Sequence, residues 1–80
     1  MIDASALSRA INLIHQINGV LPINIKEQDS LVKDLAMDSV ELIDLFLRLE
    51  QAGVTVEESK ISSGLTVGDI ARFINSAVNN

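Results

Sequence analysis

Apolar residues recur at intervals of three and four near the start of the chain, and this spacing predicts an amphipathic helix. The helix is expected from about residue 4 to residue 18, with Asp3 or Ser5 as its N-cap. Gly19 follows the last apolar position and is expected to end the helix. The apolar positions are Leu7, Ala10, Ile11, Ile14 and Ile17.

Two connections and a last helix are predicted from the same kind of pattern. Residues 19–38 are expected to form an ordered loop, because their own apolar residues can pack it down. Residues 56–61 are expected to form a single short turn of helix. The last helix is expected to begin at Thr66, because Asp69 three residues later completes the spacing of a capping box. Its apolar positions are Val67, Ile70, Ala71, Phe73, Ile74, Ala77 and Val78.

A middle helix, from Ser39 to about Gln51, has more apolar residues than one buried stripe can hold. The stripe expected to face the core consists of Leu42, Leu45, Phe46 and Leu49. A second stripe, called the outer stripe below, lies on roughly the opposite side and consists of Val40, Ile43 and Leu47. The acidic residues beside it are Asp38, Glu41 and Asp44. An apolar centre with a charged rim is typical of a helix that binds partner proteins. The alternative is that the long loop covers Ile43 or Leu47.

These elements predict an all-α fold: a small bundle of three main helices plus one short helix, with a long ordered loop between the first two. Eighty residues suit a single domain over 1–80 with one modest core, which favours carrying or binding over catalysis. The absence of cysteine and the single histidine exclude a disulfide framework and a thiolate or histidine-cluster metal site. With neither a basic leader nor a long apolar span, we expect a cytoplasmic protein without membrane insertion. We also expect a monomer.

The net charge of −5 comes from one third of the chain. Residues 34–58 hold seven acidic residues against Arg48 alone, which gives six net negative charges, and the remaining residues sum to +1. This distribution argues against nucleic acid as a partner and favours proteins with a basic patch. A merely solvated acidic face is the alternative.

Ser39 lies between a polar loop and the middle helix. Free backbone N–H groups and the helix dipole at such a position favour an anionic ester on the hydroxyl, although the serine could also simply cap the helix. The segment 30–42, SLVKDLAMDSVEL, resembles the attachment motif of the acyl carrier protein family, whose Asp-Ser-Leu carries 4′-phosphopantetheine on the serine. The resemblance extends from Leu7 to Phe73 and includes the acidic middle helix and the segment 66–70.

The resemblance implies that Ser39 receives 4′-phosphopantetheine from coenzyme A and that Asp38 helps a phosphopantetheinyl transferase and its metal engage the site. It implies a carrier rather than an enzyme, holding acyl groups as thioesters in fatty-acid-like or polyketide-like biosynthesis. Acyl-loading and acyl-processing enzymes would then bind the middle helix. The residues expected to contact them are Val40, Glu41, Ile43, Asp44, Leu47 and Arg48. No metal is expected on the carrier itself.

Several positions differ from the strongly acidic members of that family. Val40 replaces the usual leucine, Gln51 is neutral, and Arg48 places a cation on the middle helix. Because rim charges govern partner choice, these differences favour a carrier dedicated to one pathway, with a housekeeping role as the alternative. Two other functions stay open: an aminoacyl carrier, either peptidyl or D-alanyl, and a helical adaptor without a prosthetic group.

Two further expectations concern the interior and the histidine. An attached acyl chain is expected to turn into the bundle between small and aliphatic side chains. The residues expected to line that space are Leu42, Phe46, Ile61, Ala71, Ile74 and Ala77. His15 lies near the end of the first helix, where a structural or solvated imidazole is expected rather than a functional one.

Overall fold

A computed structural model describes residues 4–56 and 61–78 of the chain. Its elements are α1 (Ala4–Asn18), one turn of 3-10 helix (Pro22–Asn24), α2 (Ser39–Gln51) and α3 (Val67–Val78). Within those two ranges no strand forms, and an isolated β-bridge joins Ser30 to Thr66. The predicted all-α fold and its three main helices are confirmed. The predicted short turn over 56–61 falls mostly on residues 57–60, which lie outside the described residues.

Backbone geometry at the ends of α1 agrees only in part with the sequence. Gly19 adopts a φ of +81°, and its N–H donates to His15 O at 2.9 Å, which ends the helix as predicted. The prediction that Ser5 could be the N-cap is wrong, because α1 already includes Ala4 and Ser5 lies within its first turn. Asp3, the other predicted cap, is outside the described residues.

The core is built from all three α-helices and the long loop. α1 packs against both other helices, and more extensively against α3 than against α2. The largest fully buried side chains are Ile14, Leu31, Leu45, Leu49, Ile70 and Val67. Leu42 and Phe46 are half-buried against this core, so the predicted inner stripe of α2 is confirmed.

The loop between α1 and α2 is ordered, as predicted, and backbone hydrogen bonds attach it to the start of α3. Leu31 N–H donates to Leu65 O at 2.9 Å, and Gly68 N–H donates to Glu27 O at 2.8 Å. The predicted capping pair adjoins these bonds: Thr66 N–H donates to Asp69 Oδ2 at 3.0 Å, and Asp69 N–H donates to Thr66 Oγ1 at 3.1 Å. The loop is therefore held in place before it reaches α2.

Packing of the loop's apolar residues is uneven. Ile25 and Leu31 are buried, whereas Leu21 and Ile23 are exposed. The expectation that all the apolar residues pack the loop down was wrong for these two, because Ile23 lies in the 3-10 turn and Leu21 next to it, and the turn has no buried residue.

Candidate functional site

The chain approaches Ser39 through three residues of fixed conformation. Leu35 is buried, and its carbonyl accepts a hydrogen bond from Asn18 Nδ2 at 3.1 Å. Ala36 adopts a φ of +54°, in the left-handed region that favours glycine. Met37 is buried, and its N–H donates to Leu31 O at 2.9 Å. The loop thus places the next residue, Asp38, against the start of α2.

Asp38, and not Ser39, caps α2. Glu41 N–H donates to Asp38 Oδ1 at 2.9 Å, and Asp38 N–H donates to Glu41 Oε1 at 3.3 Å, which together form a capping box. The prediction that Ser39 could serve as the cap is therefore wrong. The signal was present in the sequence, because Asp38 and Glu41 have capping-box spacing and Ser39 has no acidic residue or glutamine three positions later.

Ser39 is the first residue of α2, and it is exposed. Among the described residues, its hydroxyl has no hydrogen-bond partner that could act as a base. In the same part of the chain, the N–H groups of Ser39 and Val40 have no acceptor. Unpaired N–H groups in the first turn of a helix suit a phosphate, so these residues fit a phosphodiester on Ser39.

The outer stripe of α2 is exposed along its whole length. Val40, Ile43 and Leu47 expose 73%, 60% and 52% of their surface. The alternative that the long loop covers Ile43 or Leu47 is therefore wrong. Three large apolar side chains in solvent on one helix are more than isolated surface residues, and they form a patch that a partner could cover.

Charged side chains border the outer stripe, and some of them already form ion pairs or hydrogen bonds within the protein. Asp38 and Glu41 have no cationic partner within the described residues. Arg48 Nε donates to Asp44 Oδ1 at 2.9 Å, and Arg48 Nη1 donates to Gln16 Oε1 at 3.1 Å. The contact with α1 has no signal in the sequence, since it depends on how the two helices pack.

A cavity of about 510 Å³ opens at the end of α2 that is remote from Ser39. The residues that line it are Arg9, Asn12, Leu13, Gln16, Leu49, Ala52, Gly53, Val54, Ile74 and Ala77. Ile74 and Ala77 were predicted to line internal space. Leu42, Phe46 and Ala71 pack in or against the core and Ile61 is exposed, so these four do not line this cavity, and the space expected to open around an attached acyl chain stays a prediction.

The remaining candidates have structural explanations or form no site. His15 Nδ1 lies 2.9 Å from Val20 O, so the imidazole ties the end of α1 to the following loop, as a structural role requires. Over residues 4–56 and 61–78, no group of three acidic or histidine side chains could hold a metal ion. None of the helices in these ranges is long and apolar enough to cross a membrane.

The site therefore consists of an exposed serine in the first turn of α2, next to a capping box formed by Asp38 and Glu41 and followed by an exposed apolar stripe. A family model described as "Phosphopantetheine attachment site" matches residues 8–74. The chain belongs to this family, which confirms the predicted resemblance and the covalent 4′-phosphopantetheine group. Members of the family carry groups for other enzymes, so this chain is a carrier and not an enzyme.

Similarity to individual proteins agrees with the family match. The chain is 34% identical over 68 residues to the acyl carrier protein of Thermotoga maritima, covering 84% of each protein. It is 31% identical over 65 residues to that of Wolinella succinogenes, covering 80% of this chain and 84% of the relative. It is 29% identical over 63 residues to the meromycolate extension acyl carrier protein of Mycobacterium tuberculosis, covering 78% of this chain and 55% of the relative. These relatives support the acyl carrier role over the aminoacyl alternative.

Proposed function

We propose that Ser39 is the residue to which 4′-phosphopantetheine is attached and that the chain presents acyl groups on this arm to partner enzymes. The single observation that carries the proposal is the position of Ser39, exposed at the start of α2 beside a capping box that fixes Asp38. The terminal thiol of the attached group supplies the chemistry, since it holds an acyl group as a thioester. The chain itself supplies the anchor and the surface that partners recognise.

Attachment forms a bond between Ser39 Oγ and the phosphorus next to pantetheine in coenzyme A. The pyrophosphate bond breaks, adenosine bisphosphate leaves, and the hydroxyl proton passes to a base of the transferase. Asp38 Oδ1 accepts the N–H of Glu41, whereas its Oδ2 has no partner within the described residues and can face the transferase and its metal. Asp38 therefore has two roles, as the N-cap and as the acid of the motif.

The surface that partners read is the outer stripe together with its charged border, called the docking face below. Its residues are Asp38, Val40, Glu41, Ile43, Asp44, Leu47 and Arg48. The exposed apolar side chains provide the buried centre of an interface, and the carboxylates of Asp38 and Glu41 attract a basic partner. Phosphopantetheinyl transferase and acyl-handling enzymes are the partners proposed for this face. A monomeric state, a cytoplasmic location and a dedicated pathway stay predictions.

Incubation with coenzyme A and a broad-range phosphopantetheinyl transferase tests the attachment. Intact-mass spectrometry should show that the wild-type protein gains the mass of one phosphopantetheine group and that Ser39→Ala gains none. Ser8→Ala removes an exposed serine of α1 and is the matched control, which should be modified like the wild type. Modification of Ser39→Ala at the wild-type rate would show that attachment occurs elsewhere. An unmodified wild type would favour an adaptor without a prosthetic group.

A further inference from the structure

Arg48 is the one basic residue of α2, and two contacts within the protein occupy its guanidinium group. It pairs with Asp44 one turn earlier on the same helix, and it reaches Gln16 on α1. An acidic residue four positions before a basic one is the favourable order for such a pair on a helix. Because Gln16 binds the other side of the guanidinium group, Arg48 is held in contact with Asp44.

The position of this pair changes the charge of the docking face. Glu41, Asp44 and Arg48 follow one another at spacings of three and four, so they lie along one side of the outer stripe. Glu41 has no cation beside it within the described residues, whereas Asp44 forms an ion pair with Arg48. On this side of the outer stripe, the free negative charge therefore lies at the end next to Ser39, while the remaining acidic residue of α2, Glu50, is exposed in the last turn of the helix.

We propose that Arg48 is a specificity-determining residue, which withholds Asp44 from partners and confines the acidic part of the docking face to Asp38 and Glu41. The partner that fits carries its cations opposite those two residues, with no basic residue opposite Arg48. A protein shaped for a continuously acidic helix would place a cation against Arg48 and be repelled. This inference rests on the docking face of the proposed function.

The rate of transferase-catalysed loading measures the effect, with a control of equal charge. Arg48→Gln exposes Asp44, and we expect it to raise kcat/KM for the carrier about two- to fivefold at low ionic strength. The gain should shrink as salt is added, because exposed charges are screened. Arg72→Gln is the control: it also removes one positive charge and breaks a pair, with Asp69, but on α3 and away from the docking face. Arg72→Gln should change the loading rate by less than half of the change that Arg48→Gln causes.

A double-mutant cycle separates masking of Asp44 from a general effect of charge. Asp44→Asn should change loading little in the wild-type background and should abolish the gain in the Arg48→Gln background. Arg48→Lys keeps a cation beside Asp44 and should load like the wild type. Circular dichroism of each variant should show the same helical content.

Each contrary result has a distinct meaning. Equal gains in Arg48→Gln and Arg72→Gln would show that only net charge matters and would overturn the inference. An equal loss from Asp44→Asn in both backgrounds would show that Asp44 is already accessible, which also overturns it. In both cases, normal loading of the wild type would leave the proposed function standing. A wild type that is never loaded would instead contradict the proposed function itself.

Discussion

Asp38 holds the first turn of α2 together, while Ser39 beside it takes no part in capping. The carboxylate of Asp38 accepts the N–H of Glu41, and the Glu41 carboxylate accepts the N–H of Asp38 in return. The serine hydroxyl is exposed to solvent and makes no hydrogen bond within the described residues. Under the proposed function, Asp38 stabilises the helix and the neighbouring Ser39 is modified.

We therefore predict that the two residues respond differently to replacement by alanine. Asp38→Ala should lower the free energy of unfolding by about 1 kcal/mol, because an N-cap is lost. Ser39→Ala should change it by less than about 0.5 kcal/mol, as for an exposed residue without a cap. Urea unfolding followed by circular dichroism measures both values. Asp38→Asn keeps a capping side chain and is the control, which should stay close to the wild type.

A loss in Ser39→Ala as large as that in Asp38→Ala would contradict this division. The capping role of Asp38 could have been predicted from the sequence, since a capping box depends only on residue types three positions apart. The conformation of Ala36 could not have been predicted in this way. Alanine gives no sign of a positive φ, which the buried residues on either side of it impose.

The start of α3 and the long loop depend on each other through Gly68. A Cβ added there would lie 3.0 Å from Glu27 Cγ and 3.2 Å from the Glu27 carbonyl oxygen. The same carbonyl accepts the Gly68 N–H at 2.8 Å. The close approach of the two backbones therefore favours a residue without a side chain.

Gly68→Ala should accordingly destabilise the protein by about 1 to 2 kcal/mol, although alanine is the better helix former. The carbonyl belongs to the backbone and cannot rotate away as a side chain could. Gly64→Ala is the matched control, because its added Cβ would meet only Ser62 Oγ, at 3.7 Å. Thermal unfolding should show a clear loss for the first variant and little change for the second. A Gly68→Ala protein as stable as the wild type would show that the loop can move away from α3.

Helix boundaries were predictable because helix ends are specified by neighbouring residues. The end of α1 is determined by Gly19, and the start of α3 by the pair of Thr66 and Asp69. The spacing of apolar residues determines the extent of both helices. The attachment of the loop to α3 was not predictable in the same way. It consists largely of bonds between backbone groups, which every sequence offers, and so it leaves no pattern of side chains.

At the level of the whole protein, the proposed attachment residue Ser39 and the cavity lie at opposite ends of α2. The cavity borders Leu49 and Val54, whereas Ser39 is the first residue of the helix. Ten residues separate Ser39 from Leu49, which is about 15 Å of helix at 1.5 Å per residue. An acyl chain that turns inward from the arm would have to run beneath α2 before it reached this space.

We predict that acylation raises the melting temperature by an amount that grows with chain length. Burial of each methylene contributes about 0.8 kcal/mol, and we expect medium chains to bury more methylenes inside the bundle than short ones. Differential scanning calorimetry of the pantetheinylated, butyryl and decanoyl forms measures the increments. Ala77→Leu, which reduces the cavity, should diminish the decanoyl increment and leave the butyryl form unchanged. Equal melting temperatures for the two acyl forms would show that the chain stays outside the bundle.

The distribution of charge was predictable in outline only. The sequence places the acidic excess over α2 and its neighbours, and the exposed outer stripe confirms which side of α2 is free. The bond from Arg48 to Gln16 needs the packing of α1 on α2, because the two residues lie 32 positions apart. The pattern of carboxylates that a partner meets therefore follows from the fold.

Mapping of the modified residue tests the assignment of Ser39 most directly. The wild-type protein is incubated with coenzyme A and a broad-range phosphopantetheinyl transferase, and the product is fragmented in a mass spectrometer to locate the added group. We predict that every modified molecule carries one phosphopantetheine and that the fragments place it on Ser39. A group on any other serine, or no added group under conditions that fully modify a known carrier, would contradict the assignment.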